Sequence, residues 1–118
     1  MTTAYGIVTG VLVMAVLAAA IPKLRLTVGA RQQFRRLGGG DPVIRLAGAT
    51  ETAAAVGLVA GFWLPWLGVA AAAGLAVQLL LAVGWHLRAK DEAPRVILPL
   101  VLLALTAVAL VLRLETMP

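Results

Sequence analysis

Four apolar stretches, each long enough to span a membrane, constrain this chain more than any other feature. They run from about Tyr5 to Pro22, Pro42 to Leu64, Leu67 to Leu87 and Pro94 to Leu114. As an α-helix, about 20 residues at ~1.5 Å each cross the ~30 Å hydrocarbon core of a bilayer. Composition agrees: of 118 residues 62% are hydrophobic and 13% charged, with a mean hydropathy of +1.00. A soluble domain of this length could not bury so much apolar surface. The expected fold is all-α, a polytopic membrane protein built as one four-transmembrane-helix bundle across residues 1–118 and surrounded by lipid.

Local signals mark the boundaries. Asp41 reads as an N-cap with Pro42 at the first helical position. Trp63-Leu64-Pro65-Trp66 reads as the tight turn between the second and third spans. Asp91 and Glu92 precede the fourth span, where its positive N-terminal end favours carboxylates, and Pro99 predicts a mild kink within it. Gly6-x-x-x-Gly10, Gly57-x-x-x-Gly61 and the small residues Ala70 to Gly74 suggest close helix contacts, since small residues let backbones approach within a bilayer. Between the first two spans, Leu26, Val28, Phe34 and Leu37 alternate with arginines and two glutamines before Gly38-Gly39-Gly40. That pattern predicts a short interfacial helix on the cytoplasmic side.

Orientation follows from the basic residues. Lys23, Arg25, Arg31, Arg35 and Arg36 lie on the first connection, and Arg88, Lys90 and Arg95 on the third. The N-terminal tail and the Trp63–Trp66 turn carry none, and Arg113 stands alone near the C-terminus. The positive-inside rule then places both basic connections in the cytoplasm and both termini outside, in a multi-pass protein of the cell inner membrane. Tyr5, Trp63 and Trp66 are expected in an outer aromatic belt and Trp85 in an inner one. The first span lacks a basic leader and is expected to be retained as a helix. The pI near 11.2 reflects contact with anionic headgroups rather than nucleic acid.

The chain has no cysteine, which excludes thiolate nucleophiles, disulfides and cysteine-bound clusters. Its single histidine, His86, excludes a multi-histidine metal site in one chain, so no metal or cofactor is expected. Glu51 is then the conspicuous residue. It lies about nine residues into the second span, roughly 13 Å deep. A carboxyl group there costs about 2.5–3.5 kcal/mol and so needs a partner or a purpose. Gln78, Thr106 and Met14 fall at a similar level, with Lys23, Arg45 and His86 nearer the cytoplasmic ends. Arg45 and Glu51 are separated by roughly 120° around their helix, so they do not face one another.

The candidate set is therefore Glu51 and His86 as acid–base groups, with Arg45, Gln78, Lys23, Thr52 and Thr106 around a substrate. Each also has a plain use. Glu51 can fasten two helices, Arg45 can snorkel to phosphate, and Gln78 and the threonines can hydrogen-bond across helices. His86 can sit at the interface, Lys23 can fix topology, and Met14 can fill core space.

These residues also carry a resemblance. Phe34-x-x-Leu37-Gly38, Arg45-x-x-Gly48-x-x-Glu51-x-x-x-x-x-Gly57-Leu58 and His86-Leu87-Arg88, with Lys23-Leu24 before them, resemble the DoxX-like family of small bacterial four-helix membrane proteins. The resemblance implies that bundle, with polar positions at Lys23, Arg45, Glu51 and His86. It also implies a setting near quinone-coupled sulfur oxidation or membrane oxidoreductase complexes. The architecture is loosely similar to sterol-isomerase and sigma-receptor-type bundles, which hold acidic residues in a lipophilic cavity.

The leading expectation is a lipophilic small molecule, such as an isoprenoid, quinone, polyketide or sterol-like compound, held in a polar pocket inside the bundle. Glu51 would serve there as general acid or base in isomerisation, cyclisation or epoxide opening. The rival is a non-catalytic subunit or anchor of a membrane oxidoreductase or biosynthetic complex. A homodimer is also expected from so small a bundle.

Overall fold

The computed structural model describes residues 2–117, and within them the chain is all helical: α1 (Thr2–Leu24), α2 (Val28–Arg36), α3 (Asp41–Ala60), α4 (Pro65–Arg88) and α5 (Ala93–Thr116). The four long helices are apolar enough to cross a membrane. They close a ring in which α1 packs on α3 and α5, and α4 packs on α3 and α5, while α1–α4 and α3–α5 are diagonals. Short connections make every neighbour antiparallel. In the most apolar 18-residue stretch of each span at most 28% of the residues are buried. Side chains such as Ile7, Val11, Val56, Leu81 and Leu98 point outward, where only hydrocarbon solvates them well. The protein is a multi-pass membrane protein.

The core is made of small and branched residues. Leu12, Val16, Ala55, Leu58, Leu75 and Ala109 meet along the bundle axis. A second cluster of Ala30, Phe34 and Ile44 holds α2 beneath α3. Outside that cluster α2 keeps its arginines exposed, as an interfacial helix requires.

The three helices that end at the α2 end of the bundle share one stop. The backbone N–H groups of Leu26, Gly38 and Lys90 donate to Lys23, Arg35 and Leu87, and the next residues, Thr27, Gly39 and Asp91, donate to Pro22, Phe34 and His86. This paired pattern is a Schellman motif, which needs a left-handed residue just past the helix end. Gly38 accepts that conformation at φ 88°, whereas Leu26 and Lys90 adopt it at 50° and 58° against their preference. One glycine of the three announced the motif in the sequence.

Several boundaries differ from expectation. The second span stops at Ala60, because Gly61 to Leu64 form successive turns. Pro65 opens α4 and Trp66 is already helical. Gly40, not Asp41, is the N-cap of α3. The Asp41 carboxylate instead accepts two hydrogen bonds from the Arg31 guanidinium, at 3.2 and 3.1 Å, which pins α2 to the start of α3. Met14 is 72% exposed and fills no core space. Tyr5 is buried, so it does not join the aromatic belt, while Trp63, Trp66 and Trp85 are exposed.

The glycine pairs divide. A Cβ at Gly61 would lie 2.5 Å from the Cα of Gly68, and one at Gly57 would lie 2.7 Å from the Cβ of Ala71. So α3 and α4 touch backbone to backbone near their turn. Gly6, Gly10 and Gly74 would meet nothing within 4 Å. They leave space rather than contact.

Candidate functional site

The convergence of α3 and α4 at their turn has a geometric consequence. Away from Gly57 and Gly61 the two helices part, and a groove of about 840 Å³ opens along their seam toward α2. Its walls are small residues, among them Ala47, Ala53, Ala70, Ala71 and Gly74, with Leu46, Val77 and Leu81 on the rims. Phe34 and Leu37 of α2 close the far end. Lys23, Gln33, Gln78 and His86 are its longer polar side chains, and three of the four stand at the α2 end. Gln78 stands nearer the middle, where its amide N–H donates to the Ala47 carbonyl at 3.2 Å. That same carbonyl accepts from the Thr50 hydroxyl at 3.0 Å.

Beside this groove a ladder of charge runs inward. The Lys23 ammonium donates to the Glu51 carboxylate, and its charge also sits 5.9 Å from the Phe34 ring. Gly48 is the reason they meet. A Cβ there would lie 3.0 Å from the Lys23 Cβ and 3.2 Å from the Ala20 carbonyl oxygen. The missing side chain lets the end of α1 settle onto α3, one turn from Glu51. This gives a physical meaning to the Gly48-x-x-Glu51 spacing.

The second rung joins His86, Asp91 and Arg36. The Schellman turn after α4 brings the residue at its second position past the cap back over the last helical turn, and here that residue is Asp91. Its carboxylate takes His86 Nδ1 on one oxygen and the Arg36 guanidinium on the other. Asp91 thus ties α2, α4 and the α4–α5 connection together, and its side chain is only 4% exposed. Lys23–Glu51 and Arg36–Asp91 each match one positive with one negative group, which is the arrangement a weakly solvated interior tolerates.

The sequence-predicted residues therefore separate. Lys23, Glu51 and His86 come together at the α2 end of the interior. Gln78 reaches the groove but makes no hydrogen bond to Glu51. Arg45 is exposed on the first turns of α3. Thr52 donates its hydroxyl to the Gly48 carbonyl at 2.8 Å and Thr106 to that of Leu102 at 2.7 Å, each bond lying within its own helix. Glu51 itself is buried and does not line the groove, so Lys23 stands between the carboxylate and any occupant. Among the described residues no three His, Asp or Glu side chains are grouped to hold a metal ion.

Two functional-looking residues escape a sequence reading. Asp91 looks like a helix-dipole partner for α5, and without a glycine at position 90 nothing marks the turn that folds it back. Arg113 looks like a lone terminal charge. In the structure it is buried, stacks 4.9 Å from the Tyr5 ring and donates to the Gly61 carbonyl at 2.8 Å. There it satisfies the C-terminal end of α3, where positive charge is favourable.

The sequence profile of the DoxX-like family matches residues 7–109, most of the chain. No curated protein and no solved structure matches. The chain belongs to the DoxX-like family.

Proposed function

We propose that this DoxX-like protein holds a lipophilic small molecule in the groove between α3 and α4. The apolar body would lie along Ala53, Ala70 and Gly74, and the polar head would stand among Lys23, Gln78 and His86. One observation carries this reading. The groove is of the size of ligand sites, is apolar along its length, and gathers its polar groups toward a single end. An amphiphile arriving from the lipid finds both halves of its chemistry matched.

Acid–base chemistry at Glu51 fits this site in one way. Because Lys23 lies between, its ammonium would pass a proton to the carboxylate and, as the amine, take one from the head of the ligand. Glu51 thereby acts on the ligand through Lys23, while His86 borders the groove directly. The basic α2 end is proposed to face the cytoplasm of a bacterial inner membrane, by the excess of Lys and Arg on that side.

The test uses Gly74. A Cβ there meets nothing within 4 Å and Gly74 lines the groove, so the ring of Gly74→Phe has the open groove to enter. Small molecules extracted from the purified wild type should include one lipophile enriched over bulk lipid, and the variant should lose it while keeping its thermal stability. Equal retention by both proteins would overturn the assignment. The small-residue walls also favour a second reading, a seat for a partner's transmembrane helix. In that case Gly74→Phe would release a copurifying protein instead of a small molecule.

A further inference from the structure

The head of the groove has a polarity of its own. Lys23, Gln33 and His86 stand at the α2 end and Gln78 nearer the middle. Asp91 engages Nδ1 of the ring, and Arg36 already matches the charge of that carboxylate. A neutral ring held this way carries its proton on Nδ1 and offers Nε2 as an acceptor. Nε2 has no hydrogen-bond partner among the described residues, and His86 borders the groove. Gln78 gives one amide N–H to the Ala47 carbonyl and keeps its second N–H and its oxygen, and Gln33 carries the same two functions, so neither amide discriminates between a donating and an accepting head. The Lys23 ammonium is the donor, with one N–H given to Glu51 and others free.

We infer that Asp91 is a positioning residue for His86, and that together they make the groove selective for a hydroxyl head, so that the occupant is a lipophilic alcohol or phenol. The inference rests on the groove being a ligand site. A hydroxyl group donates to Nε2 and accepts from Lys23, so it serves both of the discriminating side chains with one group. An ether or ketone can only accept. It would pair with Lys23 and leave Nε2 without a donor, where a lost hydrogen bond is penalised. A carboxylate or phosphate would set a further negative charge beside Glu51 and against the Nε2 lone pair. The hydroxyl is the group that suits His86 and Lys23 together.

The single histidine of the chain makes the test direct. Protein labelled with ¹⁵N-histidine and placed in lipid nanodiscs gives one imidazole spectrum. It should show a protonated Nδ1 and a bare Nε2. Adding 4-dodecylphenol should move the Nε2 resonance, and its methyl ether 4-dodecylanisole should not. Binding measured against empty nanodiscs should favour the phenol by about tenfold, the weight of one hydrogen bond. Asp91→Asn should disturb the tautomer and erase the preference while the phenol still binds. Outcomes against the inference are a wild-type ring protonated on Nε2 with a bare Nδ1, or equal binding of the two probes. Equal binding that Gly74→Phe abolishes overturns the hydroxyl assignment alone and leaves the groove standing. Binding of both probes that is indifferent to Gly74→Phe, or no binding at all, overturns both readings. The comparison of probes on the wild type does not depend on any variant folding.

Discussion

Breaking the Lys23–Glu51 pair should be asymmetric, and the asymmetry tests the geometry of the interior. The Lys23 side chain is 21% exposed and that of Glu51 6%. Lys23 lies in the last turn of α1, so a lysine deprived of its partner can swing its ammonium outward along its flexible stem. Glu51 has no such route, because it lies midway along α3 with its carboxylate facing the bundle. Lys23→Met therefore strands a buried carboxylate and should cost about 3–5 kcal/mol. Glu51→Gln keeps the shape and leaves an amide oxygen for Lys23 to donate to, so its cost should be about 1 kcal/mol. The double variant replaces a stranded charge by a neutral amide and should recover about 2 kcal/mol of the Lys23→Met loss. Steric trapping or detergent-titrated unfolding of the three variants in one bilayer mimetic gives the comparison. If Glu51→Gln is the costlier single change, or if the double variant is less stable than Lys23→Met, the carboxylate is not sheltered as the structure has it.

Other outcomes follow from the glycines and from topology. Gly61→Ala puts a methyl 2.5 Å from the Gly68 Cα, far inside the ~3.5–4.0 Å of a carbon contact. Parting α3 from α4 should cost about 1–3 kcal/mol or more, read as a fall in the thermal midpoint. Gly10→Ala, with open space around its Cβ, should instead raise that midpoint slightly, by up to about 1 kcal/mol of helix propensity. A midpoint that responds alike to both changes would contradict the close approach. The chain has no cysteine, so single-cysteine variants Gln32→Cys on α2 and Leu64→Cys on the α3–α4 turn report sidedness cleanly. A membrane-impermeant maleimide should label Leu64→Cys from the periplasmic face and Gln32→Cys only after the membrane is opened.

Much of the bundle could be read directly. The four spans, the interfacial helix and the Gly57–Gly61 contact all follow from patterns that are local along one helix. Errors collect where a local signal has two tertiary uses. Asp41 has the chemistry of an N-cap, but Arg31 lies within reach and takes it. Tyr5 has the chemistry of an interfacial aromatic, but the ring of Arg113, Gly61 and Gly68 leaves room for it inside. Gly6 and Gly10 have the spacing of a contact, yet their face of α1 meets no neighbour. Within the candidate site, Lys23, Glu51 and His86 were legible because charge and imidazole at depth are rare. Asp91 was not, because it belongs to a connection and reaches His86 only through a left-handed Lys90.

By itself, the sequence determined that this protein lives in a bilayer, how many times it crosses, and which side chains hydrocarbon cannot solvate. Those facts depend on hydropathy and helical rise, which each segment possesses alone. Tertiary structure decided who partners whom: Lys23 rather than Arg45 for Glu51, Asp91 for His86, and a groove beside α3 rather than a pocket around its carboxylate. The reason is that pairing and cavities arise from the order and tilt of neighbouring helices. Here both are set by where glycines let backbones touch, at Gly48 against α1 and at Gly61 against α4.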